Sequence, residues 1–401
     1  MAKRILFVEH SETGIVGGSL TGLVHLIRGL DPAHFESTLL LYEPKDLKGE
    51  LDGTGCRIVV LPNGHRQTEA PARKADTRTG RVAEMRRGVG AVRRFLTREL
   101  PRARKLLPVI KAERPDIVHL GNGIKPNLDG IVASRLARVA CVAHEKGFVR
   151  YTPFDKLWAR AIQSCVCMTD AVRLHLLGQG VRAPRMPVVY DGIDFEHFRP
   201  QRSTEEVRRD LGFASTDLVI GMFGNVQPWK GQDVTLRAMA AVASEFPNLV
   251  CLLAGGVVRG AEWYQTSLEE FVRSHGLEGR VRFLGSRSDV PDLLNAIDVP
   301  VHASVTPEPF GRVLIEAMAL GKPVVATAAG GPLEIVVPER TGLLARPGDD
   351  VEMAAVLRRL LRDPALRASM GEAGRRRAHE HFSLESFARN MQGEYAEVLS
   401  G

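Results

Sequence analysis

Apolar runs of four to six residues recur along the chain, each followed by a longer stretch in which apolar residues return at helical spacing. In the first half the runs are Ile5–Glu9, Ser37–Leu41, Arg57–Leu61, Asp116–His119, Val139–Ala143 and Cys165–Thr169. After Pro187-Val188-Val189-Tyr190-Asp191-Gly192-Ile193-Asp194 the chain turns polar and helical over Ser203–Leu211. A second series then begins, with Leu218–Phe223, Leu249–Ala254, Val281–Leu284, Val299–Ala303 and Pro323–Thr327. Alternating strands and helices predict parallel βαβ units. Strands that are apolar almost throughout predict helices on both sheet faces. The expectation is an α/β protein of two doubly wound domains, 1–200 and 201–382. A closing helix over Ser383–Leu399 takes Ser383 as its cap and is apolar at Phe387, Met391 and Val398.

Composition supports two cores. At 401 residues the chain exceeds the ~250–300 at which a single core stops growing. No stretch approaches the roughly 18 apolar residues of a membrane span. The amino terminus is basic and then apolar, but the run is short for an export signal and lacks a small-residue cleavage site, so a cytoplasmic protein is expected. Five cysteines without a C-x-x-C pair predict reduced thiols and no metal site.

Charge changes the picture locally. Of the net +7, residues His65–Arg114 carry fifteen Lys and Arg against five Asp and Glu, or +10, which leaves −3 for the other 351. Within this segment 65–80 reads as a loop. From Arg81 to Ile110, Val82, Met85, Val89, Val92, Phe95, Leu96, Leu106, Leu107 and Ile110 recur at helical spacing among arginines, with Pro101 interrupting. Two readings stand: a crossover helix covering the sheet, or a helix at an anionic membrane surface. With one aromatic and no recognition module, the segment is not expected to bind nucleic acid.

Four stretches carry candidate chemistry. Gly14-Ile15-Val16-Gly17-Gly18-Ser19, between a strand and a helix, can hold a phosphate on backbone N–H groups or be a tight turn; its spacing is not that of a dinucleotide loop. Lys230 follows a strand at the edge where doubly wound sheets bind ligands. In Thr306-Pro307-Glu308-Pro309-Phe310-Gly311-Arg312-Val313-Leu314-Ile315-Glu316, the prolines hold Glu308 extended, so a helix is expected from about Phe310. Its free N–H groups at Gly311, Arg312 and Val313 suit a diphosphate. Glu316, on an apolar helix, suits a vicinal diol. His144, at the carboxyl end of an apolar strand, is a site residue or a structural one.

Gly17-Gly18, His144, Asp191-Gly192-Ile193-Asp194, Gly224 through Lys230-Gly231, Glu308-x7-Glu316 and Gly330 through Val336 together resemble the retaining GT-B glycosyltransferases of family 4. The resemblance covers nearly the whole chain, and 308–336 is its most specific part. It implies two Rossmann-like domains facing across a cleft, the second holding a nucleoside diphosphate sugar and the first an acceptor, with the last helix returning to the first domain. Lys230 and the N–H groups of Gly311, Arg312 and Val313 would hold the diphosphate. Glu316 would take the ribose and Glu308 the transferred sugar. His144 would bond a donor hydroxyl, while Gly17 and Gly18 close over the diphosphate; Asn225 and Phe310 would also line the donor. The reaction would need neither metal nor cofactor. The basic amphipathic segment, for its part, suggests a glycan or lipid-linked glycan acceptor visited at the inner membrane face.

Two positions depart from the pattern. Asn225 stands where the family usually has an arginine that pairs with the diphosphate, so one charge is missing unless Arg312 or another cation supplies it. Asp191 replaces the usual asparagine of the Gly-x-Asp turn. A nucleotide-sugar 2-epimerase and a non-catalytic subunit of the same fold are the alternatives.

Overall fold

The computed structural model describes residues 2–10, 18–47, 49–61 and 81–401. Among these, six strands of the first half form one parallel sheet: β1 (Lys3–Glu9), β2 (Phe35–Leu41), β3 (Arg57–Val60), β4 (Ile117–Leu120), β5 (Ala140–Glu145) and β6 (Ser164–Cys167), in the order β3-β2-β1-β4-β5-β6. Six more form a second parallel sheet: β7 (Leu218–Phe223), β8 (Leu249–Ala254), β9 (Val281–Gly285), β10 (Val299–His302), β11 (Val324–Thr327) and β12 (Gly342–Ala345), in the order β12-β11-β10-β7-β8-β9. All eleven expected runs are strands. The winding reverses between β1 and β4 in one sheet and between β7 and β10 in the other, and at such reversals doubly wound sheets bind ligands.

The chain divides into two compact units, Met1–Gly192 with Leu384–Gly401, and Ile193–Ser383. In the first, strand alternation sends neighbouring residues to opposite cores. Leu6, Val8, Leu40, Val118 and Leu120 pack with Leu106, Ile110 and Ile131 from the helices on one face. Ile5, Phe7, Leu39, Leu41 and Ile117 pack on the other with Leu23 and Ile27 from helix Gly18–Gly29. The terminal helix, Leu384–Ser400, completes this second core with Phe387, Met391, Tyr395 and Val398. Arg185 fixes it through two bonds of 2.9 Å to Glu394. Ile220, Met222, Leu253 and Val301 form the main core of the second unit, with Leu236, Met239, Leu268 and Leu357 from its helices.

Three features differ from the sequence expectation. Strand β12 is absent from it, because Gly-Leu-Leu-Ala has no β-branched residue and its glycine reads as a turn. Gly342 is needed there, since a side chain would come within 2.3 Å of the Val324 carbonyl oxygen. Pro101 does not interrupt the basic helix. A π turn at Phe95–Glu99 joins Arg81–Arg94 to Leu100–Glu113 and places Pro101 in the first turn of the latter, where its missing N–H matters least.

The basic helix itself divides. Leu106 and Ile110 cover the sheet, and Phe95 packs edge-on against Phe154 at 5.3 Å, whereas Val89, Val92 and Leu96 are exposed. The crossover reading therefore applies to the second part of the segment, while the first part leaves apolar side chains exposed. The loop 65–80 and the side chains of Val82 and Met85 lie outside the described residues.

Candidate active site

The turn after β7 and the segment after β10 meet at the carboxyl edge where the second sheet reverses. Gly231, at φ +76°, brings its backbone so close to β10 that a Cβ would lie 2.1 Å from the Ala303 carbonyl oxygen. Val305 N–H donates to Trp229 O at 2.8 Å. Pro307 and Pro309 keep Glu308 extended, and it forms a parallel bridge with Gly330 while its carbonyl accepts from Gly331 N–H at 2.8 Å. Three connections, 224–231, 303–311 and 328–331, are thus tied together.

Lys230 and Glu308 meet in this knot. Lys230 Nζ donates to both carboxylate oxygens at 2.9 Å and lies 4.2 Å over the Trp229 ring. Glu308 Oε2 also accepts from His302 Nε2 at 2.6 Å and Ser304 Oγ at 2.8 Å. Behind them, Thr327 Oγ1 donates to Ser304 O at 2.9 Å and stands 3.4 Å from His302 Nδ1. Burial alone would raise the Glu308 carboxyl, but the His302 hydrogen bond and charge and the Lys230 ammonium outweigh it and hold the group well below the usual carboxylate range.

The neighbouring helix runs over Arg312–Ala319, two residues later than expected, because Gly311 occupies its N-cap position at φ +108°, a conformation that favours glycine. Phe310 turns inward, 6% exposed, edge-on to Phe382 at 6.1 Å, so its ring is packed in the interior and does not line the surface as expected. The first N–H groups of this helix have no acceptor within it. Arg312 Nε donates to Glu316 Oε1 at 2.9 Å, one turn along. Asn225 is exposed, and its carbonyl accepts from Gln232 Nε2 at 3.0 Å. The structure thus gathers Lys230 and Glu308 and, separately, Arg312 and Glu316.

In the first unit, Gly17 lies outside the described residues and Gly18 is the first residue of helix Gly18–Gly29. His144 on β5 is 0% exposed, and neither ring nitrogen has a hydrogen-bond partner. Its ring stands edge-on to His119 at 5.8 Å and 6.1 Å from Phe387; Asp191, held by Lys146 at 3.0 Å, lies 3.8 Å from Nε2. Burial first, and then the Lys146 ammonium, push His144 well below the ordinary histidine range, so the ring is neutral.

Sequence pattern did not single out His302, Ser304 or Thr327. One signal was available for His302, which ends an apolar strand just as His144 nearly does.

The chain matches the model described as Glycosyltransferase Family 4 over residues 16–197 and that of Glycosyl transferases group 1 over 203–377. It is 31% identical to the lipopolysaccharide core biosynthesis mannosyltransferase LpsB of Rhizobium meliloti, across 62% of this chain and 70% of that protein. It is 34% identical to a D-inositol 3-phosphate glycosyltransferase of Salinispora arenicola, across 54% of this chain; the match spans about half the length of that relative, 50%. The structure of Anabaena HepE in complex with UDP and glucose superposes with a TM-score of 0.78 at 25% identity, covering 98% of this chain and 100% of that one. Two matched halves and two parallel six-stranded sheets lead to one conclusion: the chain belongs to the group 1, family 4 glycosyltransferases of GT-B fold.

Proposed function

We propose that the chain is a retaining glycosyltransferase that moves a hexose-type sugar from a nucleoside diphosphate sugar to a hydroxyl acceptor, without a metal ion. The observation that carries this reading is the Lys230–Glu308 pair beside the start of helix Arg312–Ala319, at the point where the second sheet reverses. HepE, solved with UDP and glucose, supports a nucleoside diphosphate sugar as the donor class, and LpsB supports a glycan acceptor.

In this reading Lys230 and the N–H groups of Gly311, Arg312 and Val313 hold the diphosphate. They stabilise the charge it gains as its oxygen leaves the anomeric carbon. Glu316 accepts from the ribose diol in exchange for Arg312, whose released guanidinium compensates for the charge that Asn225 lacks. Glu308 accepts from a hydroxyl of the transferred sugar. The family resemblance assigns His144 another donor hydroxyl; its two nitrogens are unbonded, and its ring is buried within the first unit. The acceptor hydroxyl attacks from the face the diphosphate leaves, its O–H proton passing to the departing diphosphate oxygen, so the anomeric configuration is retained.

Calorimetric titration with UDP, GDP and ADP and their glucose conjugates tests the reading. The wild-type protein should bind one pair, with EDTA present, and Lys230→Ala should lose both members of it. A protein that binds none refutes the donor site. Isomerisation of the sugar without an acceptor would make the chain an epimerase.

Exposed Val89, Val92 and Leu96 beside exposed Arg93 and Arg98 support a second element, contact with an anionic membrane surface carrying a lipid-linked acceptor. Arg94 does not belong to that surface, since its Nη2 donates to buried Asp155 at 3.1 Å.

A further inference from the structure

The two oxygens of Glu308 are held unequally. Among the described residues Oε2 accepts from His302 Nε2 at 2.6 Å, Ser304 Oγ at 2.8 Å and Lys230 Nζ at 2.9 Å, whereas Oε1 accepts only from Lys230, at 2.9 Å. The donors also differ in kind. His302 is the last residue of β10 and Ser304 follows two residues later; both are buried, and Thr327 at the end of neighbouring β11 backs them. These short side chains are fixed by the sheet. Lys230 reaches in from another turn on a four-carbon stem.

Binding of a diphosphate beside this group sets up a competition. The ligand carries more negative charge than one carboxylate, so it draws the ammonium. A largely buried carboxylate stripped of its partners would then be left unsatisfied, at high cost. Here it is not stripped, because two donors stay on Oε2. A carboxylate only accepts, so His302 Nε2 carries the proton in that bond.

We propose that His302 is a positioning residue that, with Ser304, anchors Glu308 by Oε2, so that Oε1 is the oxygen that exchanges Lys230 for a hydroxyl of the donor sugar. The inference rests on the donor site proposed above. It adds that the anchor serves the sugar and not the diphosphate: without His302 the carboxylate follows Lys230 or rotates out of register, while the nucleoside diphosphate keeps its own contacts.

The test compares a nucleoside diphosphate with its own glucose conjugate, using whichever of the UDP, GDP and ADP pairs the wild-type protein binds. His302→Ala should weaken the conjugate on the order of tenfold and the free diphosphate less than about twofold. His302→Gln, which can place an amide N–H near the lost Nε2–H, should recover most of the difference. Ser304→Ala removes another donor from the same oxygen and should show the same split at smaller size, which keeps the test open if His302→Ala fails to fold. Equal losses of conjugate and diphosphate, or no loss of either, overturn the inference while leaving the donor site intact. Wild-type protein that binds no member of the panel overturns both.

Discussion

Glu99 and Arg102 stand one helical turn apart, yet carboxylate and guanidinium come no closer than 3.9 Å, and Glu99 Oε2 has no hydrogen-bond partner. Arg102 instead lies 2.9 Å from His10 Nε2. Glu99 ends the π turn, which directs it into the interior. Burial first, and then the charge of Asp129, push its carboxyl up to about 7 from 4.5.

The sign of the resulting pH dependence follows. Between those two values the folded chain holds a proton that the unfolded chain has released, so stability falls as pH rises through that window. Glu99→Gln should flatten this part of the profile and be the more stable form above about pH 8, by up to about 3 kcal/mol. Urea unfolding of both proteins from about pH 5 to pH 8 checks it; parallel profiles would refute the assignment.

Gly231→Ala meets backbone and not a movable side chain, because its Cβ would fall 2.1 Å from the Ala303 oxygen. The turn must shift and carry Lys230 with it. The variant should lose about 2 kcal/mol or more of stability and bind nucleoside diphosphate more weakly. Gly276→Ala, at φ +63° with nothing within 4 Å, should cost only the conformational strain of about 1–2 kcal/mol and leave binding unchanged.

His144→Leu separates structure from function. The imidazole makes no hydrogen bond that folding would miss, and an unpaired buried polar group costs about 1–3 kcal/mol. The variant should melt at or above the wild-type temperature while transfer activity is lost. A destabilised, active variant would make His144 a packing residue.

Val89→Ser, Val92→Ser and Leu96→Ser together remove exposed apolar surface that no core uses. Stability should change by no more than about 0.5 kcal/mol per site, while binding to vesicles of anionic phospholipid falls sharply. Vesicle flotation reads the effect. Binding that persists in the triple variant, or that the wild type never shows, ends the membrane reading.

The parts of the fold that were legible in the sequence are those where burial is two-sided. Leu249–Ala254 is buried at every position, so it reads as an unbroken apolar run, and its order among helices gives the parallel sheet. Glu308 was legible for a different reason: two prolines fix a backbone conformation locally. Its partners were not, because they depend on register between strands. Lys230 lies 78 positions away, and Thr327 reaches His302 only because β11 pairs with β10. The π turn had no signal either, since helical periodicity shifts by one residue there and Val89, Val92 and Leu96 keep the same apolar spacing as the buried Leu106 and Ile110.

The helix that closes the first unit has a consequence for biosynthesis. Residues 193–383 are complete in themselves and can fold as soon as they clear the ribosome. The first unit's sheet, although translated earlier, exposes the face that Phe387, Met391 and Tyr395 later cover until their helix has been made. The half that emerges first is therefore finished last, and a nascent chain stalled before Leu384 presents an apolar groove that holding chaperones are built to recognise.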